Sequence, residues 1–268
     1  MQETLLGKES PYSDTYAPEL LVAIPRQPIR EKLGINPGQM YGVDIWNHWE
    51  VSYLNDKGKP QVVCLEIGYD ANSANIIESK SMKLYFNSLN QTAFDSLDIL
   101  IDTVKADLEQ AVTGPVTIAQ LNESHLVTDW INDYHCIDNI DIDISDYQPI
   151  PGVLKLSEQD EIVTENLCSH LFKTNCMVTG QPDWATVLIS YTGKAIDHSS
   201  LLTYLISFRN HQAFHEPSCE MIYTDILARC KPQELSVYCR YTRRGGIDIN
   251  PYRGTSPYTP SNLRVLRQ

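Results

Sequence analysis

The spacing of apolar residues divides the first half of the chain into two strands, a helix and a third strand. Strands are predicted at residues 44–54 and 61–69, because turn-forming residues 55–59 separate two runs rich in β-branched and aromatic side chains. A helix with one buried face is predicted where apolar residues recur every three or four positions, at Leu97, Leu100, Ile101, Val104 and Leu108. Gly114 and Pro115 end this helix, and a strand follows from Val116.

The second half predicts a similar order of elements. Strands are predicted at 167–173 and 185–191, with a glycine-proline turn between them. Ser199 or Ser200 is expected to cap a helix that runs to residue 208, and a second helix covers 218–227. Residues 234–243 alternate as a strand, with apolar side chains on one face and polar ones on the other.

A weak internal repeat favours a duplicated module. Aligning Phe94 with Phe214 also matches the alanine before each and the asparagine four positions before each. Because strands joined by hairpins are separated from the helices, the predicted fold class is α+β. We divide the chain into an irregular N-terminal arm (1–40), a first module (41–121), an acidic connector (122–160) and a second module (161–268).

Two of these segments are assigned by composition. The arm holds five of the fifteen prolines and little periodicity. The connector is acidic and rich in turn-forming residues, but it lacks the glycine and the terminal glutamate of an EF-hand. We therefore expect a solvated linker there and not a calcium site.

Composition limits the classes of function. The 268 residues carry 34 acidic and 21 basic side chains, a formal net charge of −13, which argues against nucleic-acid binding. No apolar run is long enough to cross a membrane, and the first residues show no signal-peptide pattern. The seven cysteines form no CxxC pair, which is typical of free thiols in a reducing cytoplasm. We expect a cytoplasmic protein that acts on a small molecule.

The segment from Thr174 to Asp183 is the first candidate for catalysis. The turn at Gly180-Gln181-Pro182 reverses the chain, so Asp183 can return towards Cys176. A cysteine is a useful nucleophile when its thiolate is favoured and a nearby group handles the proton. The alternative is a buried structural cysteine beside an aspartate that caps the turn.

Two further polar clusters stand out. Residues 78–81 (ESKS) precede an apolar run and suit either a helix start or a functional loop. Phe214, His215 and Glu216 join an aromatic ring, an imidazole that can donate protons and a carboxylate that can bind paired N–H groups. A helix end at the surface explains the same three residues.

The basic residues Arg240, Arg243 and Arg244 run into two glycines and suit a phosphate group. Neither a dinucleotide-binding GxGxxG nor a Walker motif is present. The spacing of Cys219, Cys230 and Cys239 matches no common zinc site, so we expect no metal.

Taken in order, these motifs resemble one enzyme family. The run from Glu78 to Asn87, Cys176 with the sequence QPD, residues 214–216 and residues 243–248 are similar to the NADPH-dependent 7-cyano-7-deazaguanine reductases. These are the nitrile reductases of queuosine biosynthesis, and the likeness is to their long, two-module subfamily. It extends from about residue 10 to the C-terminus.

The resemblance implies a fold and an activity. The fold would be two tandem tunnelling-fold (T-fold) modules, in which antiparallel sheets with a helical layer assemble as a barrel in a homodimer. The reaction would reduce the nitrile of 7-cyano-7-deazaguanine to the amine with two NADPH, through a thioimidate on Cys176. Nucleic acid and membrane are not expected as partners.

The resemblance also implies roles for individual residues. Cys176 would attack the nitrile carbon and Asp183 would protonate the nitrogen, which requires Asp183 to be at least partly buried beside Cys176. The substrate would be held by Glu78 and Glu216, with His215 beside them as a further catalytic group and Ile77, Ser79 and Phe214 in the same pocket. Contacts to NADPH would come from Ser79, Lys80, Arg244 and Gly245.

Three alternatives remain at this point. A thiol nitrilase or amidohydrolase would pass through the same thioimidate and complete it with water. A zinc-dependent cyclohydrolase would act on a pterin precursor with a related fold. A purine- or pterin-binding protein would leave Cys176 inert.

Overall fold

Local sequence explains where the helices begin and end in the computed structural model, which describes residues 13–122, 129–159 and 161–268. Ser96 caps the helix Leu97–Val112 through the backbone N–H of Ile99, and Gly34 ends the helix Arg26–Leu33 with a left-handed φ of 68°. The α-helices are α1 (Arg26–Leu33), α2 (Ser79–Ser88), α3 (Leu97–Val112), α4 (His198–Ser207) and α5 (His215–Cys230).

Most strands belong to one large sheet. The strands are β1 (Ala23–Pro25), β2 (Tyr41–Leu54), β3 (Pro60–Asp70), β4 (Asn75–Ile77), β5 (Val116–Gln120), β6 (His135–Cys136), β7 (Ile162–Ser169), β8 (Lys173–Asn175), β9 (Pro182–Lys194), β10 (Glu234–Tyr241) and β11 (Ile247–Gly254). The order of the large sheet is β5-β3-β2-β11-β10-β9-β7-β6, with β8 paired to β9; β1 and β4 pair separately. Among the described strands, β6 and β7 alone pair in parallel. The predicted α+β class is confirmed.

The two halves of the chain meet in the middle of this sheet. Strand β11 from the C-terminal half pairs with β2 from the N-terminal half over eight positions, from Ile247 opposite His48 to Gly254 opposite Tyr41. Two apolar clusters lie on the sheet: one under α2 and α3, which also includes Ile247 and Ile249 of β11, and one under α4 and α5, which also includes Ile35 and Met40. The boundaries proposed for the two modules stay predictions.

The prolines of the N-terminal segment predicted irregular structure, but part of the segment is regular. It contains β1, which pairs with β4, and the eight-residue α1. Two arginines of α1 are buried: Arg26 lies 2.5 Å from Asp44, and Arg30 lies 2.7 Å from Glu220. These ion pairs with distant residues hold the segment against the core, and local sequence does not reveal them.

Two local details differ from the predictions. The cap of α4 is Asp197, whose carboxylate accepts the N–H of Ser200, and not either serine. The strand predicted at 167–173 ends at Ser169 and resumes at Lys173. The strand is interrupted because the backbone N–H of His170 donates to the carboxylate of Asp138 at 2.8 Å and so cannot form a hydrogen bond between strands.

Strand β11 was not predicted, and β10 is buried on both faces. Arg240, expected on a polar face, is fully buried and donates to Asn262 and to Gln268. All eight residues of β11 are buried, including Asp248 and Arg253. The apolar alternation of β11 covers only Ile247 and Ile249 before Pro251 interrupts it, which is too short a pattern to predict a strand. None of the helices in the described ranges is both long and apolar enough to span a membrane.

Candidate active site

The predicted site residues from both halves of the chain meet in one cleft. It spans about 360 Å³, part of it open to solvent, between the start of α2, the β8–β9 turn, the start of α5 and the β10–β11 turn. Its lining is Ile77, Glu78, Ser79, Cys176, Met177, Asp183, Ala213, Phe214, His215, Glu216, Arg244 and Ile249. Every residue predicted to be catalytic or to bind substrate is therefore present.

A tight turn brings Cys176 and Asp183 to the same end of a hairpin. The N–H of Cys176 donates to the carbonyl of Gln181 at 2.8 Å, and the N–H of Gly180 donates back to the carbonyl of Cys176 at 3.0 Å. Gly180 has a φ of 66°, in the left-handed region that favours glycine. Asp183 then pairs with Thr174 at the start of β9. The predicted chain reversal is confirmed.

The Cys176 thiol is buried and yet activated. Burial raises its pKa, but hydrogen bonds from the Thr179 hydroxyl, the backbone N–H groups of Thr179 and Val178, and Arg244 outweigh burial and lower it below the usual value. In contrast, burial raises the pKa of Cys230 to about 11. A lowered pKa increases the fraction of thiolate, which is the nucleophilic form.

Asp183 is buried between His215 and Arg244. Its side chain is 7% exposed. Oδ2 lies 3.5 Å from Nε2 of His215, and Oδ1 lies 3.3 Å from the guanidinium of Arg244. Arg244 also donates to the side chain of Gln181 at 3.3 Å. This carboxyl lies where it can exchange a proton with a ligand in the cleft.

The imidazole of His215 is fixed by stacking. Its ring lies 3.8 Å from that of Tyr241 and nearly parallel to it. With Nε2 directed at Asp183, Nδ1 is buried without a hydrogen-bond partner among the described residues. Because an orphaned buried nitrogen is costly, a ligand that satisfies Nδ1 would gain affinity.

Glu78 combines a capping role with its place in the cleft. It is 1% exposed and caps α2, accepting the N–H of Lys80 at 2.9 Å and that of Ser81 at 2.8 Å. Each carboxylate oxygen keeps a further lone pair for a ligand. The helix start and the functional interpretation of the ESKS sequence therefore apply together, and Ile77 and Ser79 flank Glu78 in the lining.

Glu216 is a buried carboxyl with one oxygen that a ligand could satisfy. It is 2% exposed, and its Oε1 has no hydrogen-bond partner among the described residues. Burial, and then the charge of Asp44, raise its pKa to about 8, against the opposing effect of Arg26 and Arg253. A ligand with N–H donors would satisfy this oxygen and favour the ionised form.

A buried ion network lies next to Glu216. Arg253 contacts Asp44 at 2.7 Å and Glu220 at 2.9 Å, and Arg26 and Arg30 complete the network. Glu220 follows Glu216 by one turn of α5. Removing one member of such a network leaves a buried charge without its partner, which costs about 3–5 kcal/mol. The network thus holds the start of α5 firmly against the sheet.

A second, wider groove continues from the cleft. It has about 750 Å³ of empty space and shares Ser79, His215, Arg244 and Ile249 with the cleft. Lys80, Lys83 and Gly245 also line it, so all four residues predicted to bind NADPH border this groove. Its three cationic side chains suit the phosphates of a dinucleotide.

The backbone conformation and the close neighbours of Gly245 explain why a glycine lies in this groove. Gly245 has a φ of 63°, and a Cβ there would lie 2.6 Å from Nζ of Lys83. A side chain at this position would therefore push Lys83 aside and fill part of the groove. The space and the charges together fit a dinucleotide phosphate.

Several lining residues were not found by sequence reasoning. Thr179, Gln181 and Lys83 are among them; Lys83 could have been found because it lies one helical turn after Lys80. Two arginines of the predicted basic cluster are not in the groove. Arg240 is buried elsewhere, and the guanidinium of Arg243 lies 5.2 Å from the ring centre of Trp49.

Comparison with known proteins gives consistent matches along the chain. Residues 12–120 match the family described as nitrile reductase, 7-cyano-7-deazaguanine-reductase N-term, and residues 182–257 match the family described as QueF-like protein. The NADPH-dependent 7-cyano-7-deazaguanine reductase of Dechloromonas aromatica is 49% identical, over 98% of this chain and 94% of its own length. The enzyme of that name from Legionella pneumophila is 47% identical, over 98% of this chain and 94% of its own length. The one from Hydrogenovibrio crunogenus is 46% identical, over 99% of this chain and 97% of its own length.

A solved structure also matches in part. The archaeosine synthase QueF-Like in the apo form covers 38% of this chain and 100% of its own, with 14% identity and a TM-score of 0.31. This likeness is too low to identify the fold.

Proposed function

The chain belongs to the NADPH-dependent 7-cyano-7-deazaguanine reductases, and we propose that it works through a covalent bond between Cys176 and its substrate. It is an oxidoreductase that reduces the nitrile of 7-cyano-7-deazaguanine in queuosine biosynthesis. The observation that carries the proposed mechanism is the activated thiol of Cys176 in the same cleft as the buried carboxyl of Asp183.

The first step overcomes the low electrophilicity of the nitrile. The Cys176 thiolate adds to the nitrile carbon, one C–N π bond breaks, and the nitrogen takes a proton from Asp183, which gives a thioimidate. Arg244 would contribute in two ways. It favours the thiolate of Cys176, and, 3.3 Å from Asp183, it would stabilise the carboxylate that remains after the proton is transferred. Covalent catalysis of this kind divides one difficult reduction into easier ones.

The residues of the cleft then control the two reductions. NADPH would supply the hydride for both: one would reduce the thioimidate to a thiohemiaminal and one would reduce the imine to the amine, each with a proton delivered to the nitrogen. Between the two, the C–S bond would break with its electron pair returning to Cys176 while the nitrogen loses a proton, which leaves an imine that water would hydrolyse. His215, fixed by Tyr241, is placed to return a proton to Asp183. A cleft filled by substrate and cofactor would keep the imine from water.

Recognition of the base is assigned to the two buried carboxyls. The unpartnered Oε1 of Glu216 would accept N–H groups from the pyrimidine edge of the deazaguanine. Glu78 would accept further N–H groups with the lone pairs that capping leaves free. Phe214, Ile77 and Ser79 would line the same pocket.

The cofactor is assigned to the wider groove. NADPH carries phosphates, and Lys80, Lys83 and Arg244 supply the positive charge there. Gly245 keeps the backbone open at this point. The groove and the cleft share four lining residues, so a cofactor in the groove would face the substrate.

Three wider features are also proposed. Each half of the chain would be one T-fold module, the modules would assemble as a barrel in a homodimer, and no nucleic acid would be needed because the substrate is a free base. Since the mechanism requires a free thiolate, the enzyme would work in the reducing cytoplasm.

Loss of NADPH absorbance with 7-cyano-7-deazaguanine tests the proposal. The wild type should oxidise two NADPH for each nitrile consumed, and Cys176→Ala should oxidise none. Nitrile loss without oxidation of NADPH would indicate hydrolysis of the thioimidate and contradict the proposal. Undiminished reduction by Cys176→Ala would exclude covalent catalysis by this residue.

A further inference from the structure

A second group of metal-binding side chains lies apart from the cleft and the groove. The two sulfurs of Cys136 and Cys168 and a ring nitrogen of His170 lie within 4.8 Å of one another. Cys136 and Cys168 are directly paired across the parallel strands β6 and β7. His170 follows Cys168 by two residues, the spacing that places side chains on the same side of an extended chain. None of the three lines the cleft or the groove.

Neighbouring groups hold this cluster in place. Nδ1 of His170 forms a hydrogen bond of 2.9 Å with the Thr186 hydroxyl. The carboxylate of Asp138 accepts the N–H of His170 at 2.8 Å and the hydroxyl of Ser169 at 2.6 Å. Such partners behind a histidine ligand fix its orientation in many metal sites. The histidine is thus positioned without any help from an ion.

The environment of the two cysteines is apolar on one side. Cys168 is buried in a cluster with Ile45 and Leu188, and Trp130 and Tyr134 pack against the same cluster. The ligand atoms of the two cysteines therefore lie at the edge of an apolar core.

The identity of the ligands selects the type of ion. Thiolate and imidazole groups favour zinc and similar transition metals, whereas magnesium and calcium require oxygen ligands. We propose that Cys136, Cys168 and His170 bind one zinc-class divalent ion in tetrahedral geometry, with a water as the fourth ligand. Binding would release the thiol protons to solvent and leave the oxidation state of the sulfurs unchanged.

The position of the cluster suggests what the ion would do. Strand β6 has only two residues, so its pairing with β7 is short. Trp130 anchors the same segment to the C-terminal tail, donating to the carbonyl of Arg264 at 2.8 Å. An ion bound to Cys136 and to β7 would fasten the segment between the two halves of the chain to the sheet.

Cobalt binding tests this proposal independently of catalysis. The full-length Cys176→Ala protein, which lacks the activated thiol, is purified under reducing conditions, treated with a chelator and titrated with Co²⁺. We expect one Co²⁺ per chain, with a thiolate-to-cobalt charge-transfer band and the visible bands of tetrahedral cobalt, both abolished by excess Zn²⁺. Added Cys168→Ser should remove the bands, whereas Cys64→Ser, a half-buried thiol elsewhere, should leave them unchanged.

A milder variant keeps the test valid if a ligand variant folds poorly. Thr186→Val preserves shape but removes the partner of His170, and we expect roughly a 10–100-fold loss of cobalt affinity. Zinc should also raise the melting temperature of the Cys176→Ala protein, and a chelator should reverse the increase. The proposal is wrong if no cobalt spectrum appears, if the spectrum survives Cys168→Ser, or if thiol counting shows a Cys136–Cys168 disulfide under these conditions.

Discussion

Nε2 of His215 lies 3.5 Å from Oδ2 of Asp183. The other oxygen of Asp183 faces Arg244, so the carboxyl has a donor on each side and the cleft in front. The stacked Tyr241 ring holds the imidazole in this position. This arrangement places a buried carboxyl in the same cleft as the activated Cys176, as the proposed proton transfer to the nitrile nitrogen requires.

Asp183→Asn should separate proton transfer from binding. The amide has the same shape but no acidic proton, so we expect kcat to fall by roughly 10²–10⁴-fold with little change in the KM for the nitrile. Steady-state kinetics measures both values. Asp225→Asn is the control, because Asp225 pairs with Tyr204 outside the cleft. Full rate in Asp183→Asn would show that another group protonates the nitrogen.

The low pKa of Cys176 should depend on its hydrogen-bond donors. Thr179→Val and Arg244→Ala each remove a donor, so the pKa of the thiol should rise and alkylation at pH 7 should become slower. The rate of alkylation at Cys176 is measured by mass spectrometry of the labelled peptide at several pH values, and its dependence on pH gives the pKa of the thiol. Arg243→Ala serves as the control because Arg243 packs on Trp49. If Cys176 in the wild type reacted no faster than Cys230, the thiol would not be activated.

Substrate affinity should increase as the pH rises through about 8. The pKa of Glu216 is raised to about 8, so its carboxyl is largely neutral at pH 7, whereas paired N–H donors bind the ionised form. Binding should therefore release a proton below pH 8 and gain strength up to pH 9. Calorimetry with the Cys176→Ala protein in buffers of different ionisation enthalpy measures the released proton.

Glu216→Gln should bind the nitrile more weakly and without this pH dependence. An unchanged pH profile in Glu216→Gln would mean that another group in the site, or the substrate itself, releases the proton. It would leave Glu216 without the recognition role proposed for it.

A substitution in the groove should change the KM for NADPH more than the KM for the nitrile. Lys83→Ala removes one cation that faces the groove, so the KM for NADPH should rise several-fold while that for the nitrile changes little. Added salt should reduce the difference between the variant and the wild type. Lys105→Ala, half-exposed on α3, is the matched control. Equal changes in both KM values would argue against a cofactor site here.

Sequence reasoning located the site but not the contacts that hold it in place. Cys176 and Asp183 are joined by a short turn, so local turn chemistry was enough to bring them together. The pairing of β2 with β11 depends on residues about 200 positions apart, such as Asp44 and Arg253. No local pattern indicates contacts at that separation, which is why β11 was missed.

The same limit applies to charged residues in the core. Arg26 lies in a segment predicted to be an irregular arm, and Arg240 was expected in a phosphate site, yet both are buried. Sequence alone treats an arginine as exposed, because burial is acceptable only where partners are supplied by other elements. Arg240 finds Asn262 and Gln268 in the C-terminal tail, where no element was predicted.

Mass spectrometry of the intact protein with 7-cyano-7-deazaguanine and no NADPH tests the covalent mechanism most directly. The wild type should gain the full mass of the nitrile, located on the peptide that contains Cys176. The Cys176→Ala protein should gain none while still binding the nitrile in calorimetry. A wild type that binds the nitrile but shows no added mass would contradict the thioimidate on Cys176.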